Sequence, residues 1–598
     1  MQTGIADARE APPRTTRRNA RWHTVGIFAV LAFAYAAAGV GYVVWRMLKY
    51  RLPYPYWDSV AVDLFVGERF LPGWGLQTAL QFTVNEHRPI FPLYIYAADH
   101  SWFASDGAAI IALNALLLLF VALLIAAWMR GSGPLTIQRV VLMAAAPVAV
   151  FWPAQAQNLN WLMQVNFILS TAALLAAIPL LLLAERVATI RPGAAIGWTV
   201  AAAICLFVSS FSLAFGILGW PILLAYLLCR RAPWRVIVPF AAAGAGTILL
   251  YASTWSPIAH HADPFAALLQ PVAVGRYMFA MLGAPLHYLL DYPFFHPPAW
   301  LRQLFGGIVF VSIVAASLRV FFERASRRTP ATVGERGLVI MALLAAACAF
   351  ITALGRHNFG ADQALSSRYV LFGVLAWLGV AGYWVPRLRF APAGAGLGYA
   401  AIALLLVAFT TSYLYRATEL RVIAAGVRVA AAAATHDIDD PAMYPRLYPS
   451  HQQDTKLARL NDSLRRRGHP FFAEPWHAWY GRNAIELFSN ADARRCSGHV
   501  DATTRFGAKV RRQNGWAWDH DRKAPPPYVV ALDGAGTVRG VGFNGFPRLD
   551  LVRLLGRPRY FHAGWMLLAG TDAERPTVLA VTHDGKSCVL GPLRPARS

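Results

Sequence analysis

The chain has 598 residues, of which 57% are apolar and only 14% charged, with a mean hydropathy of +0.42. That balance excludes a single soluble domain, because apolar runs of about 17–25 residues, each able to cross a hydrocarbon layer roughly 30 Å thick, recur as far as residue 415. The formal charge of +24 does not mark a nucleic-acid binder: the arginines stand in short clusters beside apolar runs, where they act as orientation signals and contacts for anionic lipid.

Residues 1–23 are polar and carry Arg9, Arg14, Arg17, Arg18 and Arg21, which the positive-inside rule places in the cytoplasm. A first span at 24–47 then leads into an outward loop, residues 48–106. Further spans are expected at 107–129, 140–153, 167–183, 194–213, 215–229 and 236–253, with Arg130, Arg139, Arg230, Arg231 and Arg235 on the inner side. The stretch 271–290 is apolar but interrupted by Arg276, Pro285 and His287. Counting it as a crossing would put the basic stretch 322–337 outside, so it reads as re-entrant or interfacial. Spans at 304–320, 338–354, 370–385 and 394–415 complete about eleven crossings in a transmembrane domain of residues 24–415.

From residue 416 the chain becomes an outward C-terminal α+β domain, helical over 416–490 and β-rich over 491–598. Short runs such as TVRGVGF and SCVLGPL between Gly, Pro and Asp turns predict a β-sandwich there. Cys496 and Cys588 lie in this tail, where an oxidising compartment permits a disulfide, whereas Cys205, Cys229 and Cys348 read as packing residues of the spans.

Candidate chemistry collects on the outward side. Asp58 follows Trp57 shortly after the first span, placed to accept a proton from a hydroxyl or to bind a divalent cation whose other ligands include phosphate. Asp63 and Glu68 read as the polar face of an interfacial helix. In the run Asn85-Glu86-His87-Arg88, Arg88 is suited to gripping phosphate, and Glu86 or His87 to orienting or deprotonating an acceptor. The loop GRHNFGADQALSSRY supplies Arg356, His357, Arg368 and Tyr369; arginines here oppose the positive-inside bias, and phosphate recognition is one reason for them. Gln157 and Asn160 stand in an amide-rich turn with Trp152 and Trp161, a composition suited to sugar hydroxyls. No phosphate-binding Gly-rich loop, nucleophile elbow, zinc-protease or dinucleotide motif is present.

Tyr56-Trp57-Asp58 after the first span, the Asn85 to Arg88 run, the GR…SSRY loop, about eleven crossings and an outward tail together resemble the GT-C class of membrane glycosyltransferases. That class includes the protein O-mannosyltransferases and the lipid A aminoarabinose transferase. The resemblance implies a bacterial inner-membrane enzyme that moves a sugar from a polyprenyl-phosphate donor to an envelope glycan, lipid or protein on the periplasmic side. By the same likeness Asp58 would be the acceptor-side base or a metal-linked carboxylate, and Arg356 or Arg368 would neutralise the leaving phosphate. Trp-Asp-Ser replaces the paired acidic residues of many relatives in the first loop, so the need for a metal stays open. A transporter or flippase of lipid-linked saccharides is the alternative, although carboxylates are scarce within the spans.

Overall fold

The structure is a computed structural model that describes residues 14–71, 75–85, 87–253, 263–323, 330–388, 395–438, 440, 447–448, 453–490, 495–507, 509–571, 573 and 575–590. Residues 1–13 of the basic N-terminal segment and residues 324–329 of the basic stretch 322–337 lie outside the described residues. Nine helices among the described residues are long and apolar enough to cross a membrane, which makes the chain a multi-pass membrane protein.

Helix α1 (Arg14–Lys49) leads into a loop that contains α2 (Asp58–Phe65) and α3 (Ile90–Trp102). There follow α4 (Ala108–Gly131), α5 (Ile137–Val150), α6 (Val165–Val187), α7 (Pro192–Ser210), α8 (Gly219–Cys229), α9 (Trp234–Ser253), α10 (Pro271–Leu282), α11 (Ala299–Phe321), α12 (Val333–Arg356) and α13 (Val370–Trp384). Apolar side chains dominate the spanning helices, and their backbone bonds close within each one, as hydrocarbon requires. Helix α12 opens on a capping box: Thr332 Oγ1 accepts from Glu335 N at 3.2 Å, and the Glu335 carboxylate accepts from Thr332 N at 3.0 Å.

Two expected spans differ in form. The one at 215–229 is a short apolar stretch, Ala214–Cys229, that begins in a 3₁₀ turn. The last one does not end near residue 415: α14 (Ala395–Thr435) runs on without a break into the alanine-rich segment. The stretch 271–290 divides at Gly283 into α10 and a shorter helix, Ala284–Leu290. The break is a packing device, because a Cβ on Gly283 would collide with the Arg302 carbonyl, and one on Gly306 with the Phe279 carbonyl. Small residues of this kind let membrane helices approach to backbone contact.

Loop charges sort onto two faces. On one, Arg230 bonds Glu323 at 2.9 Å and lies 3.6 Å from Glu185, while Arg336 reaches the same two carboxylates at 3.5 and 3.7 Å. This network ties the α6–α7, α8–α9 and α11–α12 connections together. The other face carries the first loop, the segment between α12 and α13, and the tail.

In the tail, α14 is followed by α15 (Gln453–Arg466) and eight strands: β1 (Ser489–Asn490), β2 (Cys496–Phe506), β3 (Val510–Asp519), β4 (Tyr528–Leu532), β5 (Val538–Phe546), β6 (Gly564–Gly570), β7 (Thr577–Val581) and β8 (Lys586–Leu590). They form not the expected sandwich but a single sheet, in the order β1-β8-β7-β4-β5-β6-β3-β2. The sheet curls until its two ends meet, and Cys496 on β2 is bonded to Cys588 on β8 across a Cα separation of 6.0 Å. One face encloses Ala517, Val529, Trp565, Leu567 and Val578. The other packs Val530, Val541 and Phe543 against the alanines of α14, Trp476, and Leu52, Tyr54 and Val60 of the first loop.

The disulfide closes a separation of 92 residues. Replacing both cysteines by alanine is expected to lower the stability of the full-length protein's tail by about 2–4 kcal/mol. Thermal melts of purified protein, read alongside thiol counting by non-reducing mass spectrometry, check this; an unchanged melt assigns the bridge no stabilising role.

Candidate functional site

Four segments far apart in the sequence meet on the tail face. Trp57, immediately before α2, holds φ 52°, a left-handed conformation that costs a bulky residue on the order of 1–3 kcal/mol. Its N–H donates to the Leu447 carbonyl of the tail at 2.6 Å. Trp161 Nε1 donates to Tyr56 O and to Ser59 Oγ, both at 3.0 Å, and so grips α2 on either side of Asp58. The Tyr56 and Trp57 rings stack at 5.5 Å, and both meet Trp161 edge to face. Asp58 thus starts its helix at the edge of an aromatic platform.

The amide-rich turn joins this platform to the segment before α13. Gln157 N donates to Ser367 Oγ at 3.2 Å, and Asn158 Nδ2 to the Arg368 carbonyl at 2.9 Å. Asn160 Nδ2 donates to Leu420 O on α14 at 3.4 Å. Gln157 Oε1, Asn158 Oδ1 and Asn160 Oδ1 are buried acceptors without a protein donor. Each such orphan carries a desolvation penalty of roughly 1–3 kcal/mol that a hydroxyl or a water removes.

The Arg368 guanidinium bonds the Tyr369 side chain and lies within electrostatic reach of Asp58 and Tyr277. Arg356 and Tyr369 lie within reach of the same Tyr277. Among the described residues neither Arg356 nor Arg368 forms a direct ion pair, so both cations keep capacity for an anion. His357 lies beside Arg356, with Nδ1 buried and unpartnered.

The other sequence-predicted residues sit elsewhere. His87 and Val84 exchange backbone bonds in a tight turn, and His87 Nδ1 accepts from Ala214 N at 3.4 Å. Arg88 is buried, 2% exposed, with Tyr251 on α9 as its electrostatic neighbour. Glu86 lies outside the described residues. The structure therefore gathers Asp58, Gln157, Arg356, Arg368 and Tyr369, and sets His87 and Arg88 against the α7–α8 turn and the end of α9. Among the described residues no three His, Cys, Asp or Glu side chains assemble into a metal-binding group.

A second polar cluster, whose loop residues sequence reasoning did not join to the tail, seals the first loop to the tail. Asp63 does not face solvent as an interfacial helix would have it, whereas Glu68 stays exposed. Asp63 is buried and pairs with Arg467 at 2.6 Å, and Glu68 pairs with Arg459. Arg467 also contacts His100 and donates to Ser105 Oγ at 3.0 Å. Asp99, 4% exposed, accepts from Gly107 N at 3.2 Å through Oδ2, while Oδ1 has no partner. It lines a cavity of about 20 Å³ with Tyr54, Ser59, Asp63, Tyr96 and His469. That is room for a single water. Burial pushes the Asp99 carboxyl up to about 7, with Asp106 and Asp63 adding and the Gly107 amide partly opposing. Burial, aided by Arg467, pulls His100 down to about 4, so it is neutral at pH 7.

No family model matches this chain, and neither a curated protein nor a solved structure is significantly similar to it.

Because folded Asp99 keeps its proton where an unfolded aspartate has released it, stability is expected to fall as pH rises from about 4 to about 7 and to level off above. The full excursion corresponds to roughly 4 kcal/mol. Asp99→Asn should flatten that slope and raise the melting temperature at pH 8. Melts between pH 5 and pH 8 check it; an equal slope in the variant would exonerate Asp99.

Proposed function

We propose that the chain is a GT-C-like glycosyltransferase of a bacterial inner membrane that moves a sugar from a polyprenyl-phosphate donor to an envelope acceptor on the tail face. The observation that carries this reading is the proximity of Asp58 to Arg368, across an aromatic and amide platform, at one face of a membrane body. Asp58 takes the proton of the acceptor hydroxyl as its oxygen bonds the anomeric carbon. The bond from that carbon to the phosphate oxygen breaks, and its electron pair leaves with the lipid phosphate. Arg368 and Arg356, which form no direct ion pair among the described residues, stabilise the charge that develops there. Tyr56 and Trp57, both half-buried, offer flat faces for a pyranose, with Trp161 buried behind them. In this orientation α1 enters from the cytoplasm and the tail is periplasmic, the compartment in which the Cys496–Cys588 bridge persists.

Loss of the protein should remove one sugar mass from an envelope glycan, lipid or protein, read by mass spectrometry of isolated envelopes. Asp58→Asn should cut transfer by about 10²–10⁴-fold while leaving the melting temperature within a few degrees of the parent. Arg368→Ala should lower turnover of the lipid-phosphate donor by about 10²-fold or more. An envelope unchanged by deletion sinks the transferase reading as a whole; full activity in Asp58→Asn sinks only the base.

A further inference from the structure

The tail segment 549–562 reads LDLVRLLGRPRYFH. It folds as a short helix, α16 (Leu549–Leu555), which stops at Gly556 in a left-handed conformation, φ 62°, and is followed by a 3₁₀ turn, Pro558–His562. Its inner side is anchored: Leu551 and Tyr560 are buried with Trp518 and Ala563, the Tyr560 and Trp518 rings 4.3 Å apart. Its outer side is bare. Every residue from 553 to 559 is exposed, Leu554 by 79%. Arg553, Arg557 and Arg559 surround the two leucines, and none is in an ion pair among the described residues.

The place of this segment is fixed by its last residue. The His562 ring donates from Nδ1 to Gly545 O at 3.2 Å and lies within electrostatic reach of Arg421 and Arg46. Arg46 belongs to the end of α1 and donates to Ala417 O on α14 at 2.7 Å. The apolar span of α1 ends at Lys49, with Trp45 and Leu48 turned outward beside it. The segment therefore ends, at His562, close to the point where α1 leaves hydrocarbon, and its exposed leucines and arginines precede that anchor on the same short helix and turn. Apolar side chains ringed by cations at that level match the layering of a bilayer surface, acyl chains beneath anionic phosphates.

We propose that residues 553–559 dock into the headgroup layer of the leaflet on the tail face, Leu554 and Leu555 entering the acyl boundary while Arg553, Arg557 and Arg559 hold anionic phospholipid phosphates. The contact pins the sheet to the bilayer at a point separate from α14. It does not depend on what the protein catalyses.

The test uses full-length protein carrying Leu554→Cys, with Cys205, Cys229 and Cys348 replaced by alanine and the tail disulfide intact, labelled with an environment-sensitive fluorophore. In vesicles of phosphatidylglycerol and phosphatidylcholine, shallow doxyl lipid should quench the label at least about threefold more than in detergent, and aqueous iodide correspondingly less. Arg553→Glu, Arg557→Glu and Arg559→Glu together, or vesicles of phosphatidylcholine alone, should return about half or more of that protection. Iodide access equal in vesicles and detergent overturns the docking. Protection indifferent to the three arginines and to lipid charge overturns the phosphate contacts.

Discussion

One uninterrupted helix, α14, carries the membrane body into the tail, and the amide-rich turn, the end of α1 and the sheet all rest on it. At about 1.5 Å per residue its 41 residues make a rod roughly 60 Å long. Near its middle, Ala417 and Leu420 accept from Arg46 and Asn160, and Arg416 pairs with Asp291 at 2.8 Å and Glu419 at 2.7 Å. Further along, alanines 430–434 present a nearly smooth surface to the sheet, and a Cβ on Gly545 of β5 would stand 3.0 Å from Ala425. Alanine serves here twice: it keeps the backbone helical where neighbouring spans no longer support it, and it lets a sheet approach closely. The amide turn and the sheet are thus referenced to one rigid rod.

Electrostatics separate the two faces of the membrane body. On the face opposite the tail, Arg230 and Arg336 are matched by Glu185 and Glu323, and Arg387 by Glu335 at 2.6 Å. Those charges neutralise one another and hold helix ends together. On the tail face Arg302 meets Asp362 and Arg416 meets Asp291, yet Arg356 and Arg368 stand among tyrosines and amides. A hydroxyl orients a guanidinium without neutralising it. The same residue type therefore fastens the scaffold on one side and remains available to an anion on the other.

Much of the membrane body was legible in the sequence, because an apolar run of fixed length has few alternatives to a spanning helix. Continuity beyond residue 415 was not: Arg416, Glu419 and Arg421 end the hydropathy signal, while the alanines that follow keep the helix going. Alternation revealed strands but not closure, since a sandwich and a curled single sheet both bury every second residue; the contact between β2 and β8 is long-range and leaves no local trace. At the site, residue types gave Asp58 and Arg368 as candidates, but their proximity depends on Trp161 and Asn158 holding two loops. Asp99 belongs to the same loop but is not singled out as a site residue, because a carboxylate in DHSW looks like an ordinary polar end of a helix. Its burial, with Arg467 committed to Asp63, makes it unusual.

Three features of this fold oppose stability: the left-handed backbone of Trp57, the orphaned amide oxygens of the 155–160 turn, and the buried Asp99 carboxyl. They are not equivalent. Asp99 sits in a cavity with space for one water, which a proton can satisfy and which no sugar can enter, so its cost belongs to the joint between loop and tail. The strain at Trp57 and the unpaired oxygens of Gln157, Asn158 and Asn160 fall instead on the two segments bridged by Trp161, beside Asp58 and two arginines that form no direct ion pair among the described residues. Unfavourable terms that surrounding contacts hold in place, concentrated where charge is left unneutralised, are what a preorganised ligand site requires: the protein has met the cost of ordering these groups before any ligand arrives.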